Sequence, residues 1–241
     1  MAMEEFLSRQ TLLVVAPHAD DETIQSGGLM QRVKKAGGKV YVLVLSVGNL
    51  DHYTGAPSSS HVKASTREIE LGEAMKTLGV DDWEVALTDE HLHLRLDSLP
   101  RRDLINIIER GARLCTDKIQ PSMLAIPAPS FNQDHEAVYE ACVTACRPHL
   151  STMKTFQRVV LVADAPQLTW GLHQRFNPNF YVQLSEEQME RKVQAYMCHK
   201  SQVRPEPHMG SPEALRKLAA ARGIEISVPY AEAYEALRFV C

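Results

Sequence analysis

The chain has 241 residues, of which 44% are hydrophobic and 23% charged, and its formal net charge is −4 at pH 7. This composition is ordinary for a soluble globular protein, and we expect residues 1–241 to form one domain. No long basic run suggests a nucleic-acid partner, and no apolar stretch approaches the roughly 18 residues that a membrane span needs. The first residues lack the basic-then-apolar order of a signal peptide, so we expect a cytoplasmic protein.

Strand and helix signals alternate along the first two thirds of the chain. Apolar, β-branched runs predict strands at 11–16, 40–47, 83–87, 123–127 and 159–162. Amphipathic stretches between them predict helices at 23–36, 63–78, 101–115 and 134–145, and a loop is expected over 48–60. Apolar strands separated by helices are typical of a parallel sheet covered on both faces. The sequence therefore predicts an α/β protein with a Rossmann-like three-layer fold and a mostly parallel sheet.

The pattern loosens after residue 165. An edge strand is expected at 180–184, followed by a helix at 186–199 and a helix at 212–222. The proline- and glycine-rich residues 201–213 predict a surface excursion. We expect the C-terminal segment to pack on the rim of the sheet.

The most informative segment follows the first predicted strand. Residues 17–22 read Pro-His-Ala-Asp-Asp-Glu. They place an imidazole and two carboxylates at the rim of a sheet, where open α/β sheets bind ligands. His18 offers a borderline nitrogen and the aspartates hard oxygens, a mixture that suits zinc. Neighbouring side chains on a loop point in different directions, so one of Asp20 and Asp21 can bind metal while the other handles protons.

A second polar cluster, Asn132-Gln-Asp-His135, follows the strand predicted at 123–127. The carboxyl ends of parallel strands lie on one rim, so we expect the two clusters to meet. His18, Asp21 and His135 would then supply three ligands. Three protein ligands leave an open position on a tetrahedral zinc, as in catalytic sites.

Other candidate ligands have simpler explanations. None of the five cysteines forms a CxxC pair, and we assign no disulfide. Cys142 and Cys146 are expected to be buried small side chains, with a metal pair as the alternative. His91 and His93 share a strand-like face, but a solvated loop is the simpler expectation. Close packing of helix on sheet explains the glycines at 27–28 better than a phosphate loop does, because the required lysine and hydroxyl are missing.

The two clusters resemble the signatures of the PIG-L (LmbE-like) zinc-dependent N-deacetylases. Residues 17–22 are similar to the PHPDDE motif of this family, and residues 132–135 to its second motif, usually HPDH. Weaker similarities, at Arg67-Glu68, 192–202 and 230–234, extend the resemblance over nearly the whole chain. Members of the family remove acetyl groups from N-acetylated amino sugars.

The resemblance implies roles for individual residues. Three are implied as metal ligands: His18, Asp21 and His135. Asp20 matches the general base, and Asp134 matches a carboxylate that orients a neighbouring group. Arg67 is expected to hold a sugar hydroxyl or phosphate, with a surface ion pair as the alternative. Asp89 is expected to bind the sugar.

Two positions depart from the family motifs. Ala19 replaces a proline, which removes no functional group. Asn132 stands where the family usually has a histidine that holds the oxyanion or acts as an acid. Asparagine can donate a hydrogen bond but cannot transfer a proton at neutral pH. An acid role would then fall to Asp20 or to another histidine, with the candidates being His173, His199 and His208.

The resemblance thus implies hydrolysis of an acetamide on an amino sugar or a glycosylated metabolite, for instance in polysaccharide or natural-product assembly. Zn²⁺ is the expected cofactor, with Fe²⁺ in the cell as the alternative. The expected partner is a small N-acetylated sugar, without nucleic acid or membrane insertion, and self-association stays open. Two alternatives remain, a zinc hydrolase of another small amide or ester, and a non-catalytic sugar-binding or regulatory descendant.

Overall fold

The computed structural model describes residues 2–51, 61–170 and 176–240. The strands are β1 (Thr11–His18), β2 (Lys39–Ser46), β3 (Leu50–Asp51), β4 (His61–Val62), β5 (Asp82–Leu87), β6 (Met123–Pro127), β7 (Val159–Ala163), β8 (Phe180–Leu184) and β9 (Tyr230–Phe239). The helices are α1 (Ala2–Ser8), α2 (Asp21–Ala36), α3 (Ala64–Leu78), α4 (Arg101–Asn106), α5 (Thr116–Ile119), α6 (Gln133–Ala145), α7 (Glu186–Cys198) and α8 (Pro212–Ile224). Across the described ranges, no helix has the length and apolar character that crossing a bilayer requires.

Seven strands form one sheet in the order β5-β2-β1-β6-β7-β9-β8, and β3 and β4 form a separate ladder. The first five strands in this order are parallel, whereas β9 runs antiparallel to both β7 and β8. Within the parallel part, Leu12 of β1 lies opposite Val40 of β2 and Met123 of β6. The predicted α/β fold with a mostly parallel sheet is confirmed, as is the edge position of residues 180–184.

Side chains of β1 alternate between two hydrophobic cores. Leu12, Val14 and Ala16 belong to the core beneath α2, α3 and α7. Leu13 and Val15 belong to the core beneath α4 and α6. Successive side chains of a strand point to opposite faces, so an uninterrupted apolar strand needs a helical layer on each side. This three-layer arrangement fixes the carboxyl end of β1 at the rim of the sheet.

The last strand of the C-terminal segment lies inside the sheet, whereas we expected the segment to pack on the rim. Tyr230–Phe239 forms β9 inside the sheet, with Tyr234 opposite Ala163 of β7 and Ala233 opposite Tyr181 of β8. The strand is rich in alanine and glutamate, which are depleted in strands, and this composition concealed it.

A buried carboxylate connects β9 to the middle of α2. Glu232 accepts hydrogen bonds from the backbone N–H groups of Gly28 (2.6 Å) and Leu29 (2.7 Å). It also accepts from Lys192 Nζ at 2.6 Å and from the Tyr234 hydroxyl at 2.7 Å. A Cβ added at Gly28 would lie 2.8 Å from the carboxyl carbon of Glu232. The close packing predicted at this glycine is therefore confirmed.

We expect Glu232→Ala to lower the free energy of unfolding by about 3–5 kcal/mol, because the Lys192 ammonium would stay buried without its partner. Urea unfolding followed by circular dichroism measures the loss. Glu187→Ala is the control, since Glu187 pairs with Arg191 at the surface and should change stability by no more than about 0.5 kcal/mol. Equal losses in both variants would show that the buried pair gives no special stability.

The helix predicted over 101–115 is shorter than expected. After α4 the chain makes one wider turn, Ile107–Gly111, which closes with a hydrogen bond of 3.0 Å from the Ala112 N–H to the Ile107 carbonyl. Glu109 in this turn is buried and accepts from Arg147 at 2.8 Å and from Lys154. A buried glutamate is not part of a normal apolar stripe, so the amphipathic pattern could not reveal where the helix ends.

The cysteines in and directly after α6 are packing residues. Cys142 and Cys146 carry free thiols and are buried in the core beneath α4 and α6. Burial raises the pKa of both thiols, which disfavours the thiolate that binds metal. The structure thus agrees with small buried side chains.

Candidate metal centre

The first motif spans the junction of β1 and α2. His18 ends the strand and Asp21 begins the helix. Asp20, between them, has a φ of 124°, and such backbone strain costs about 1–3 kcal/mol and concentrates at functional sites. The Asp20 carbonyl still starts α2 by accepting from the N–H of Ile24 at 3.0 Å. This turn lets the adjacent carboxylates of Asp20 and Asp21 line one cleft.

The second motif begins α6, which follows β6, the neighbour of β1. Asn132 caps the helix, because its Oδ1 accepts from the backbone N–H of Asp134 at 2.9 Å. The Oδ2 atom of Asp134 in turn lies 2.8 Å from His18 Nε2. The structure therefore brings the two clusters together, although more than a hundred residues separate them in sequence.

Three potential ligand atoms converge in this place. Asp21 Oδ2 lies 3.4 Å from His18 Nδ1 and 3.2 Å from His135 Nε2. One potential ligand atom from each of the three residues lies within 4.8 Å of the other two. A tetrahedral zinc with bonds of about 2.0–2.2 Å separates its ligand atoms by about 3.3–3.6 Å. Two imidazole nitrogens and one carboxylate oxygen suit zinc or ferrous iron. The donor set and its spacing thus fit one small divalent cation.

Asp134 fixes the orientation of His18. Its carboxylate is fully buried, with Oδ2 on His18 Nε2 and Oδ1 accepting from the backbone N–H of Leu96 at 2.8 Å. Because Nε2 is engaged, Nδ1 is the nitrogen left to face a cation.

Asp134→Asn should therefore weaken zinc binding by about 10–100-fold, the usual effect of removing a carboxylate behind a metal-binding histidine. Competition with a fluorescent chelator measures the affinity. Asp103→Asn, an exposed position on α4, is the matched control. An unchanged zinc affinity in Asp134→Asn would contradict the orienting role of Asp134.

The buried charges of the centre favour a cation. Burial lowers the pKa of His18, but hydrogen bonds and charge from Asp134 and Asp21 outweigh burial and raise it to about 9. Burial raises the pKa of Asp21, but His135 and His18 outweigh that effect and hold it far below its usual range. A divalent ion can replace the positive charge that these carboxylates hold on His18.

Asp20 differs from its neighbour in both environment and pKa. Burial and then the charge of Asp21 raise the pKa of Asp20 to about 7, while His199 and Arg67 oppose the rise. A bound dication would lower this value. Asp20 is only partly buried and lines the cleft, so its carboxyl group is open to exchange protons there.

Arg67 and His93 form a buried pair beside His18. Arg67 Nη1 donates to His93 Nε2 at 2.6 Å and to the Gly48 carbonyl at 3.2 Å. His93 Nδ1 lies 3.2 Å from Ser46 Oγ, and its ring packs edge-on against His18 at 5.2 Å between centroids. Burial and then the charges of Arg67 and His18 lower the pKa of His93 to about 3, so the ring is neutral. The solvated loop expected for His93 and the surface ion pair considered for Arg67 are both wrong.

Gly48 makes room for this pair, since a Cβ at Gly48 would lie 2.3 Å from His93 Cβ. We expect Gly48→Ala to lower the free energy of unfolding by about 1–3 kcal/mol, the cost of overpacking. Chemical denaturation of four proteins tests this: wild type, Gly48→Ala, His93→Gly and Gly48→Ala/His93→Gly. The double variant should be no less stable than His93→Gly alone, because glycine at 93 has no Cβ to clash with the added methyl group. If the losses of the two single variants add in the double variant, the strain in Gly48→Ala does not come from contact with His93.

Asp89 is not brought to the centre. It caps the turn Glu90–Leu92, where its Oδ1 accepts from the His91 N–H at 2.9 Å, and both residues are exposed. The carboxylate caps an exposed turn, and Asp89 is not among the residues that line the cleft.

Three histidines were considered as substitutes for the histidine that Asn132 replaces in the second motif, and they differ in their positions. His199 is buried, with Nε2 at 3.0 Å from Glu22 Oε1, and despite the opposing effect of burial this glutamate raises its pKa. His208 lines the cleft and accepts from the Gly210 N–H at 2.9 Å. His173 lies outside the described residues, as do residues 52–60 of the loop expected over 48–60.

The cleft has a volume of about 320 Å³, within the range of about 300–1,000 Å³ typical of small-molecule sites. Part of its wall comes from residues 202–210, which we expected only as a surface excursion. The Tyr196 hydroxyl donates to the Gly210 carbonyl at 2.7 Å, and the Arg204 N–H donates to it at 3.0 Å. The first bond ties the segment to α7 and the second closes the segment on itself, and Gln202 and His208 are among the residues that line the cleft.

Fold and site together define an α/β protein with a candidate mononuclear metal centre at the carboxyl ends of β1 and β6. Comparison with known proteins gives the family. The PIG-L family model, described as GlcNAc-PI de-N-acetylase, matches residues 13–146, which is more than half of the chain. The chain belongs to this family of N-deacetylating enzymes.

Individual relatives agree with this assignment. The diacetylchitobiose deacetylase of Thermococcus kodakarensis is 25% identical over 206 residues, which cover 83% of this chain and 72% of that protein. The 1D-myo-inositol 2-acetamido-2-deoxy-alpha-D-glucopyranoside deacetylase of Kineococcus radiotolerans is 30% identical over 133 residues, 53% of this chain and 35% of that protein. The crystal structure of the A40926 pseudoaglycone deacetylase Dbv21 shares the fold, with a TM-score of 0.70, 18% identity, and coverage of 97% of this chain and 99% of that one.

Proposed function

We propose that this protein is a zinc-dependent hydrolase that removes the acetyl group from an N-acetylated amino sugar or a glycosylated metabolite. The observation that carries the proposal is the convergence of His18, Asp21 and His135 in one cleft with Asp20. The names of the PIG-L relatives, which include deacetylases of diacetylchitobiose and of an inositol glycoside of 2-acetamido-2-deoxyglucose, support this substrate class.

The three converging side chains are the proposed zinc ligands. Each would offer one atom to the ion: His18 through Nδ1, His135 through Nε2 and Asp21 through Oδ2. The raised pKa of His18 favours a protonated ring without the ion, so His18 would release a proton when the ion binds. A bound zinc ion supplies Lewis-acid polarisation of the acetyl carbonyl and brings the pKa of water toward about 7. Iron is the alternative ion, because the same ligands accept it.

Asp20 is the proposed general base. In this role its carboxylate takes a proton from the water whose oxygen attacks the acetyl carbon. When the C–N bond breaks, Asp20 returns that proton to the leaving amine, so that acetate and the free amino sugar are the products. General acid–base catalysis of this kind typically contributes about 10²–10⁴-fold in rate.

Asn132 can serve the oxyanion only as a hydrogen-bond donor. Its Oδ1 is committed to capping α6, which leaves the Nδ2 group as the donor of this side chain. An amide cannot release a proton at neutral pH, so the proposed return of the proton falls to Asp20. Within this scheme Asn132 stabilises developing charge and Arg67 holds a substrate hydroxyl or phosphate.

The test is release of acetate by zinc-loaded protein from a panel of N-acetylated amino sugars, their glycosides and unrelated acetamides and acetate esters. We expect turnover on the amino-sugar members and none after chelation with EDTA, with recovery when zinc returns. Turnover only on other amides or esters would favour the alternative of a zinc hydrolase that acts on another small amide or ester. A metal-free protein that binds a sugar tightly without turnover would favour the non-catalytic alternative.

A further inference from the structure

The mouth of the cleft carries three large apolar side chains that remain exposed to solvent. Leu94 is 39% exposed, Phe131 54% and Met209 41%. They come from three different connections, yet all three line the cleft that contains the metal centre. We call this group the apolar collar. Exposed apolar clusters around a concave site commonly mark ligand contact, because they cost solubility without adding to the core.

The backbone holds Leu94 in place against its preference. Leu94 has a φ of 59°, a left-handed conformation that a bulky side chain rarely adopts. Its carbonyl accepts from Gln133 Nε2 at 2.9 Å, which ties the strained residue to the first turn of α6. The neighbouring Arg95 N–H bonds back to the Leu92 carbonyl at 3.1 Å. Persistent strain at the edge of a site is typical of functional positions.

The other two members of the collar are also attached to the site. Phe131 directly precedes Asn132, whose backbone N–H bonds to Ser130 Oγ at 3.2 Å and whose side chain caps α6. Met209 directly precedes Gly210, which is held by the Tyr196 hydroxyl. Phe131 and Met209 therefore each adjoin a residue that also lines the cleft.

The residues that line the cleft differ in exposure. The three potential ligands and Arg67 are buried, Asn132 and Gln202 are partly buried, and the collar is exposed together with the polar His208. An N-acetyl sugar with its acetamide at the floor would use the polar groups, and whatever its sugar carries outward would meet the collar. A fully polar oligosaccharide would leave three apolar side chains without a complementary partner.

Resting on the proposed function, we propose that the substrate is an amphiphilic glycoside, an N-acetylated amino sugar whose outward substituent is an alkyl or aryl group that packs in the apolar collar. The collar selects this class because burying apolar surface adds affinity that a polar substituent cannot supply.

The test uses the methyl, butyl and octyl β-glycosides of N-acetylglucosamine with the zinc-loaded protein, below the micelle concentration of the octyl compound. We expect kcat/KM to rise by about two- to fourfold per methylene between methyl and butyl, the range set by partial to full burial of a CH₂ group. In Phe131→Ser and Met209→Ser the ratio of octyl to methyl should fall toward one. Met153→Ser, an exposed methionine that is not among the residues lining the cleft, should keep the wild-type ratio.

Equal kcat/KM along the wild-type series would overturn the inference while leaving the deacetylase proposal intact. A series that rises equally in the collar variants would also overturn it. If no glycoside releases acetate, the deacetylase proposal fails for these substrates. In that case the affinities of the methyl and octyl glycosides are measured by calorimetry. Tighter binding of the octyl glycoside to wild type, lost in Phe131→Ser, would support the role of the collar. Equal affinities of wild type for the two glycosides would refute it.

The apolar collar has one competing occupant, a second copy of the chain. Sedimentation of wild type and Phe131→Ser decides between them. A monomeric wild type agrees with a substrate-binding collar, whereas a dimer that Phe131→Ser dissociates would show that the collar is a subunit interface and overturn the inference.

Discussion

Replacing Asp20 with asparagine is expected to lower kcat for acetate release by about 10²–10⁴-fold while zinc stays bound at one ion per chain. Asparagine keeps the shape of the side chain and also tolerates the left-handed backbone at this position better than most residues do. It cannot accept the proton of the attacking water. Initial rates, together with metal content by atomic emission, measure the two effects separately.

Asp117→Asn is the control for this variant, since Asp117 is an exposed carboxylate in the short helix α5, far along the chain from either motif. Its kcat should stay within about twofold of wild type, as is usual for surface substitutions. A fully active Asp20→Asn protein would remove Asp20 from the mechanism. Loss of zinc together with activity would instead make Asp20 part of the metal-binding set.

His135→Ala is expected to abolish stoichiometric zinc binding and with it acetate release. Two donors on His18 and Asp21 would remain, fewer than the three protein ligands of a catalytic zinc site. Zinc added to wild type at 100 times its Kd should stabilise the folded state by about 2.7 kcal/mol, because only the folded chain brings the donors together. The variant should show no such response in thermal unfolding.

The matched control is His149→Ala, a histidine exposed after α6. It should bind one zinc and show the wild-type thermal response. Retention of stoichiometric zinc and activity by His135→Ala would mean that another donor completes the centre and that the proposed ligand set is incorrect.

The convergence of the two motifs was predictable because it follows from topology. An apolar strand ending in His18 and another followed by Asn132 and His135 had to reach one rim if the sheet is parallel, and β1 and β6 are neighbours. The helices around them were equally visible, since Gly37 and Gly79 end α2 and α3 in left-handed conformations.

What the sequence could not reveal depends on contacts between distant parts of the chain. No local sequence pattern predicts the burial of His93, because this burial depends on Arg67 from α3 and on the absence of a side chain at Gly48. Strand β9 was concealed because Glu232, a residue usually exposed, is satisfied by donors on α2 and α7. Asp89 shows the opposite case, in which similarity suggested a role and the structure places the carboxylate at the cap of an exposed turn outside the cleft lining, so its role stays a prediction.

The adjacency of β1 and β6 also bears on when the chain could acquire the proposed ion. Leu12 must pair with Met123 across an intervening segment of more than a hundred residues, and such long-range closure is a slow part of folding. An intermediate in which β6 has not docked lacks His135 among its donors. We therefore expect stoichiometric uptake of the proposed ion to be a late event in refolding, one that reports the finished sheet.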